Sequence, residues 1–468
     1  MSARKELSLA AAVCALQLWL AHHYFGFLTG DEVEVLGEAF RLATGFDYGT
    51  WDVRNTLVPD VLVAPLIWIA THLGISSPGA LIVIATIPFA IASSLTIVLV
   101  HRLAARWTPL TRPSATLSPQ AGRGALEQTH DDSPSPRLRG EGGRRPDEGL
   151  AATAATVLFA LHWIPLGFGS TTYPRVIAMA CIVAAALIVE RNAYLAGALM
   201  GVAFADRYSE IVYLIPLLIL ARRRAWQVAV GALASIAITA GVFDWIRWGE
   251  PFGSLRKFAH LTLVERDFAS RVKQQSPLWY LEMLPRWCAP TLLPFLWKAR
   301  RMRVAWAFVL IPLVALSLIA HKELRYLQSI IPFLAILAGY GFTLLRREVA
   351  IALLAISLGW NLWGLRFLGR ESRPAVEAAR MLGTDPTARV VASSQPWACG
   401  DKLYLTRGAK AIELGTPPQH LDAILAASDA VIIYESDVTP EVAAKLARFK
   451  RVAVFRAPRA RDVIVYRR

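Results

Sequence analysis

Residues 28–59 read LTGDEVEVLGEAFRLATGFDYGTWDVRNTLVP. A largely apolar run, Leu7–Phe27, ends just before them, so Asp31 and Glu32 stand at the exit of a hydrophobic helix. Carboxylates are expensive to keep near hydrocarbon, so at such a place they face water, a partner or a reaction. The same two residues equally suit a solvated helix end, with Asp31 as the N-cap. Position alone does not separate the two readings.

The rest of the chain supplies the setting. Of 468 residues, 55% are hydrophobic and only 18% charged, below the quarter or so of a soluble domain. The apolar residues fall in long blocks, which makes this an α-helical polytopic membrane protein. A formal charge of +15 could suggest nucleic acid. The cations instead collect at the ends of apolar blocks, as in Arg222-Arg223-Arg224, Lys298–Arg303 and Arg346-Arg347, and follow the positive-inside rule. Cys14, Cys181, Cys288 and Cys399 show no metal spacing, and two lie inside apolar blocks, which excludes a disulfide framework. The basic start MSARKE leads into a run too long for a signal-peptide core, so Leu7–Phe27 reads as an uncleaved first span.

Further spans are expected at 80–103, 150–168, 176–189, 194–205, 211–221, 226–243, 289–296, 304–320, 327–345 and 349–367. Segment 57–73 is apolar too, but it opens on Pro59-Asp60. If the basic N-terminus and the three arginine-rich clusters are all cytoplasmic, parity closes only when 57–73 does not cross. It then becomes an interfacial or re-entrant helix within an outer loop, 28–79. About eleven transmembrane helices result. The rival topology has 57–73 crossing and 194–221 as one long helix. Segment 104–150, rich in Pro, Gly, Ser and Arg, cannot bury a core and is expected to be a disordered cytoplasmic insert.

From 371 to 468 the pattern changes. Short β-branched runs at 389–392, 402–405, 430–434, 451–455 and 462–466 alternate with helical stretches at 375–382 and 440–449. This predicts a small soluble α/β domain after a membrane domain of residues 1–370, and no glycine-rich nucleotide fingerprint follows any strand.

Polar clusters gather on one side of this topology: the first outer loop with Arg54, the turn GSTTYPR with Arg175, the turn DRYSE with Arg207, the loop 244–288 with Trp248, and the turn HKELRY, His321–Tyr326. Most read equally as ordinary charged loops, and an intrahelical Arg207–Glu210 pair would explain the third. His321–Tyr326 is harder to dismiss. It packs His321, Lys322, Glu323 and Arg325 into a short turn between two apolar helices, a cation cluster suited to a phosphate at the bilayer surface. Such parts suit glycosyl transfer from a lipid-linked phosphosugar. Cations neutralise the leaving phosphate, a carboxylate deprotonates the acceptor hydroxyl, and no cofactor or metal is needed.

HKELRYLQSIIPF (His321–Phe333) resembles the HKEERF signature of the glycosyltransferase family 22 mannosyltransferases, which act in GPI and dolichol-linked glycan synthesis. GDEVEV…EAF…TWDVRNTLVP resembles their first luminal loop, GSTTYPRVIA their SRTLPN stretch, and FDWIRWGEPFGSL a later loop. The resemblance implies a GT-C fold and an inverting enzyme that transfers mannose from a polyprenyl-phosphate sugar donor to a lipid-linked or glycan acceptor. It makes Asp31 and Glu32 the catalytic acid pair, and His321, Lys322, Arg325 and Arg175 the donor-phosphate ligands. Glu323, Arg54, Arg207 and Trp248 would touch substrate. Leu324 stands where a second Glu is usual, Thr171 where an Arg is, and Arg175 where an Asn is. Short loops and the α/β tail imply a prokaryotic protein of the cell membrane (the bacterial inner membrane, with site and tail periplasmic). Two alternatives are a GT-C transferase of the aminoarabinose or protein-mannosyl type, and a lipid or sugar transporter. A transporter usually shows internal repeats and broken mid-membrane helices, and none is evident.

Overall fold

A computed structural model describes residues 3–24, 28, 31–45, 54–108, 146–264, 274–369, 372–394, 401–405, 410–414, 420–456 and 461–468. The side chain of Asp31, Asp52 and nearly all of the expected insert lie outside the described residues.

The Pro78–Trp107 helix is the axis of the packing. Thirty residues at 1.5 Å each make it about 45 Å long, enough to cross a bilayer. It packs against Ala3–His23, Pro146–Ala160 and Arg175–Ile188, burying Ile82, Phe89, Ile97, Val100 and Leu103. Gln17, the one amide in the first apolar run, is buried there. Its Nε2 donates to Ser93 Oγ at 2.8 Å and to the Pro165 carbonyl at 3.2 Å, which removes the cost of an unpaired amide.

The segment after the first helix folds as an Asp31–Thr44 helix and a Pro59–His72 helical stretch. Val35, Leu36, Ala39 and Phe40 form the buried stripe of the former. Pro59–His72 is about 21 Å long, short of the roughly 30 Å hydrocarbon core. It ends at Gly74, whose φ of +84° turns the chain back toward Pro78. That turn is where only a residue without Cβ is unstrained.

One expected span divides, and the single helix of the rival topology does not form. The expected span 150–168 is two helices, Pro146–Ala160 and Trp163–Phe168, because His162 breaks the run. Its Nδ1 accepts from the Ile164 amide at 3.2 Å and caps the second helix, while its Nε2 lies 2.9 Å from the Trp287 carbonyl. Residues 194–221 are not one helix either. Ala193–Asp206 ends at Arg207, which is extended (φ −152°, ψ 108°), before a 3₁₀ turn, Tyr208–Tyr213, leads into Leu214–Ala221. Among the described residues two stretches, Pro78–Trp107 and Tyr208–Trp248, are long and apolar enough to cross a membrane. The second reverses at Arg222, where φ is +51°, into a hairpin. Its return helix, Ala225–Ile236, lies on Ala193–Asp206 at backbone contact: Gly197 faces the Val228 carbonyl and Gly231 the Tyr194 carbonyl.

The C-terminal residues form a five-stranded sheet in the order β2-β1-β3-β5-β4. The strands are β1 (Val390–Ser393), β2 (Lys410–Glu413), β3 (Ala430–Tyr434), β4 (Lys450–Phe455) and β5 (Val463–Arg467). β1 runs parallel to β2 and β3, while β5 is antiparallel to both β3 and β4. Alternation sends Ile432, Tyr434, Val463 and Val465 into the main core and Val431, Ile433 and Ile464 into a second one, under helices Leu421–Ala427 and Pro440–Leu446. The strand expected at 402–405 is instead a helix, Asp401–Tyr404. Leu403, Tyr404 and Leu405 are all buried, and a half-buried strand would have exposed every second one.

Candidate active site

The N-terminus of Asp31–Thr44 meets the GSTTYPR turn. Thr172 Oγ1 donates to the Glu32 carbonyl at 3.2 Å, and the Glu32 side chain is fully buried. Beside Thr172, the buried Tyr173 ring has two cations on it, with the Arg325 guanidinium carbon 5.4 Å and the Arg207 one 5.9 Å from its centroid. Acid-bearing helix, hydroxyl turn and two arginines thus converge, although they lie as much as three hundred residues apart in sequence.

Behind them a buried strut fixes the geometry. Arg175 forms an ion pair with Glu210 and donates to Ser209 Oγ at 2.9 Å and to the Tyr326 carbonyl at 3.2 Å. Its guanidinium also lies 4.8 Å from the Tyr326 ring. Three polar turns are therefore tied by one side chain. The intrahelical Arg207–Glu210 pair is replaced by this one: Arg207 is extended, and it is its backbone carbonyl that meets Glu210, accepting from the Glu210 N–H at 2.9 Å to open the 3₁₀ turn.

The His321–Tyr326 turn divides its cations. Glu323 bridges His321, at 2.9 Å, and Arg325, while Tyr280 Oη donates to the Glu323 carbonyl at 3.2 Å. Lys322 behaves differently. It is 1% exposed, and its ammonium donates to the carbonyls of Ile319 and Gln275. Its backbone N–H donates to Gln275 Oε1 at 2.7 Å, and Gln275 Nε2 donates back to the Lys322 carbonyl at 3.0 Å. Burial pulls the Lys322 ammonium below its usual value. This lysine fastens the segment around Gln275 to the signature turn.

A second polar layer lies between the helices Asp31–Thr44 and Pro59–His72 and the helical continuation of Ala225–Ile236 through Phe243–Trp248. Arg247 pairs with Glu38 and, at 3.1 Å, with Asp60, while Arg41 donates to both oxygens of Glu38, at 2.6 and 3.0 Å. One guanidinium shared between two acids leaves Asp60 the less compensated. Burial, with Glu38 adding to it, pushes the Asp60 carboxyl up to about 6. Nearby, buried Asp244 accepts from the Asn55 amide, the Ser254 backbone N–H and the Ser254 hydroxyl, which also meets Tyr208 Oη. Arg54 is paired with Glu34 at 3.1 Å, and its charge reaches the Tyr208 hydroxyl. Trp248 belongs to this layer, with the Arg247 guanidinium 4.8 Å from its ring.

So Glu32, Arg175, Arg207, His321, Glu323 and Arg325 come together, Lys322 is turned onto backbone carbonyls, and Arg54 and Trp248 sit in the outer layer. Thr172, Tyr173 and Gln275 carried no role in the sequence, and Arg247 read only as one more charge in its loop. Neutral hydroxyls and amides look like any loop residue until folding places a cation or a carbonyl beside them.

Solved structures share this fold. ArnT from Cupriavidus metallidurans bound to undecaprenyl phosphate superposes with a TM-score of 0.61 at 14% identity, covering 99% of this chain and 98% of that one. The apo state of the same enzyme gives 0.60 at 12% identity over 100% and 98%. The Archaeoglobus fulgidus oligosaccharyltransferase in complex with Zn and sulfate gives 0.50 at 10% identity over 94% and 69%. No curated protein sequence matches. Residues 31–368, the stretch that holds the whole site, match the Alg9-like mannosyltransferase family, and the chain, a glycosyltransferase, belongs to that family.

Proposed function

We propose that the chain is a membrane glycosyltransferase that moves a sugar, mannose by the family's habit, from a polyprenyl-phosphate donor to a lipid-linked or glycan acceptor with inversion at the anomeric carbon. Asp31, with Glu32 beside it, takes the proton from the acceptor hydroxyl as that oxygen attacks. The bond from the anomeric carbon to the phosphate oxygen breaks on the opposite side, and the charge developing on the phosphate falls to Arg325, with Arg207 and His321 next to it, while Arg175, expected as a phosphate ligand, fixes their turns from behind. Lys322 acts by holding this turn together. Arg207, Glu323, Arg54 and Trp248 line the approach of the substrates. In this reading about eleven helices cross the membrane, residues 28–79 and 371–468 are on the outer face, and Pro59–His72 lies along it. Undecaprenyl phosphate in the similarly folded ArnT supports a prenyl-phosphate carrier.

One observation carries the proposal. The helix that begins with Asp31 and Glu32 is hydrogen-bonded to Thr172, and the next residue, Tyr173, has both Arg207 and Arg325 on its ring. An acid and two cations at one place are what an in-line displacement at a phosphosugar needs. The test uses membranes carrying the Asp31→Asn protein, supplied with polyprenyl-phosphate mannose and, in parallel, other polyprenyl-phosphate sugars. Loss of a general base should lower turnover by about 10²-fold or more while the protein still melts as wild type. Full turnover by the variant removes Asp31 from the chemistry, and turnover only with another sugar replaces mannose.

A further inference from the structure

Far from this site, at the other end of Pro78–Trp107, the chain forms a half-open cavity of about 810 Å³. That volume falls in the roughly 300–1,000 Å³ range of small-molecule sites. Arg222, Arg223, Arg224, Arg301 and Arg303 line it together with one acid, Glu190. Its remaining wall is apolar and includes Trp107, Leu220 and Met302.

The single acid is already engaged. Arg106, in the last turn of Pro78–Trp107, pairs with Glu190 and donates to the Leu187 carbonyl, and Arg224 donates to the Glu190 carbonyl. These contacts brace one side of the cavity. Arg222, Arg223, Arg301 and Arg303 have no acidic partner among the described residues. Four like charges around one space repel each other, and the fold keeps them there. An anion between them would relieve that repulsion. A planar guanidinium presents paired N–H donors that match phosphate oxygens.

Location narrows the anion's class. Each arginine sits where an apolar helix stops: Arg222–Arg224 between Leu214–Ala221 and Ala225–Ile236, and Arg301 and Arg303 between Leu293–Lys298 and Arg303–Leu318. That is the depth of lipid headgroups in a spanning protein. Exposed apolar side chains continue down the same helices, Ile215 and Ile219 on one and Leu310 and Val314 on another. A basic mouth with an apolar wall below it fits an amphiphile better than a free ion.

We propose that this cavity binds the headgroup of an anionic glycerophospholipid, whose phosphate lies among Arg222, Arg223, Arg301 and Arg303 and whose acyl chains follow the apolar wall. The assignment needs only that the chain spans a bilayer and is independent of the catalytic reading.

The full-length protein, purified in a neutral detergent, is titrated with phosphatidylglycerol, with phosphatidylcholine and with soluble glycerol phosphate while thermal unfolding is followed. A ligand of the folded state raises the melting temperature in proportion to its occupancy. Phosphatidylglycerol should give a saturable rise, and phosphatidylcholine should need at least about tenfold more for the same shift. Arg223→Gln/Arg303→Gln and, separately, Arg222→Gln/Arg301→Gln should each move the phosphatidylglycerol midpoint about tenfold or more upward, by loss of two charge-assisted contacts. Arg300→Gln, outside the cavity with its guanidinium 5.0 Å from the Trp297 ring, removes a charge and should leave the midpoint unchanged. Should a paired variant fail to fold, its two single substitutions are titrated instead. Equal shifts from the two lipids, or wild-type midpoints in the paired variants, overturn the site. An equal shift from glycerol phosphate at the same concentrations overturns the lipid as its occupant.

Discussion

Glu210→Gln tests whether the buried strut holds the active site together. Arg175 is 3% exposed and Glu210 fully buried, so neither charge can turn to water when the other is lost. Removing one partner of such a pair costs about 3–5 kcal/mol, because a desolvated ion is left behind. Arg175 keeps Ser209 Oγ, the Tyr326 carbonyl and the Tyr326 ring, which places the cost at the low end, about 3 kcal/mol. At about 2 °C per kcal/mol, thermal unfolding should start about 6 °C lower. Sugar transfer should fall too, since the ion pair that seats Arg175 between the turns bearing Arg207 and Arg325 is lost. The double variant Arg175→Met/Glu210→Leu removes both ions and should melt above the single one, since an apolar pair can replace a buried ion pair with little loss. Two results would refute the argument. One is a Glu210→Gln protein that melts within about 1 °C of wild type. The other is a double variant whose loss equals the sum of its singles, which would mean that the residues do not interact.

Two further outcomes follow from the outer layer and the helix packing. Asp60 has a raised carboxyl, so its neutral form favours the fold; that contribution is complete below the ordinary value near 3.8 and is lost as pH rises through about 6. Wild type should therefore lose at most about 2 kcal/mol relative to Asp60→Asn between pH 4 and 7, after solvent screening of a partly exposed carboxyl, measured as the difference of their unfolding curves; parallel curves would disprove the assignment. Gly231→Ala puts a methyl against the Tyr194 carbonyl, where backbone leaves no room, and should destabilise the Ala193–Asp206/Ala225–Ile236 pair by about 1–3 kcal/mol. Gly359→Ala, in open space on the Arg347–Gly364 helix, should show no such loss in the same melt.

The sequence made the apolar helices and the small sheet legible, because burial writes a period into the chain that needs no partner to be read. Four of five strands lie where alternation put them, and β2 was missed because its side chains are mostly exposed and lack that period. The motifs also marked which turns carry charge. How those charges pair was hidden, since a pair is a property of distance in space. Glu210 could have met Arg207, three residues away, and instead meets Arg175, thirty-five away.

Length, apolar blocks and the HKELRY turn by themselves determined the fold class and the chemical class, because hydropathy and residue type act locally. Tertiary structure alone decided that His162 breaks a helix, that Lys322 serves carbonyls while Arg325 joins Arg207 on the Tyr173 ring, and that five arginines from two distant turns face one cavity. The physical reason is that a side chain's role depends on its dielectric surroundings and nearest partner, and both are set only when remote segments pack.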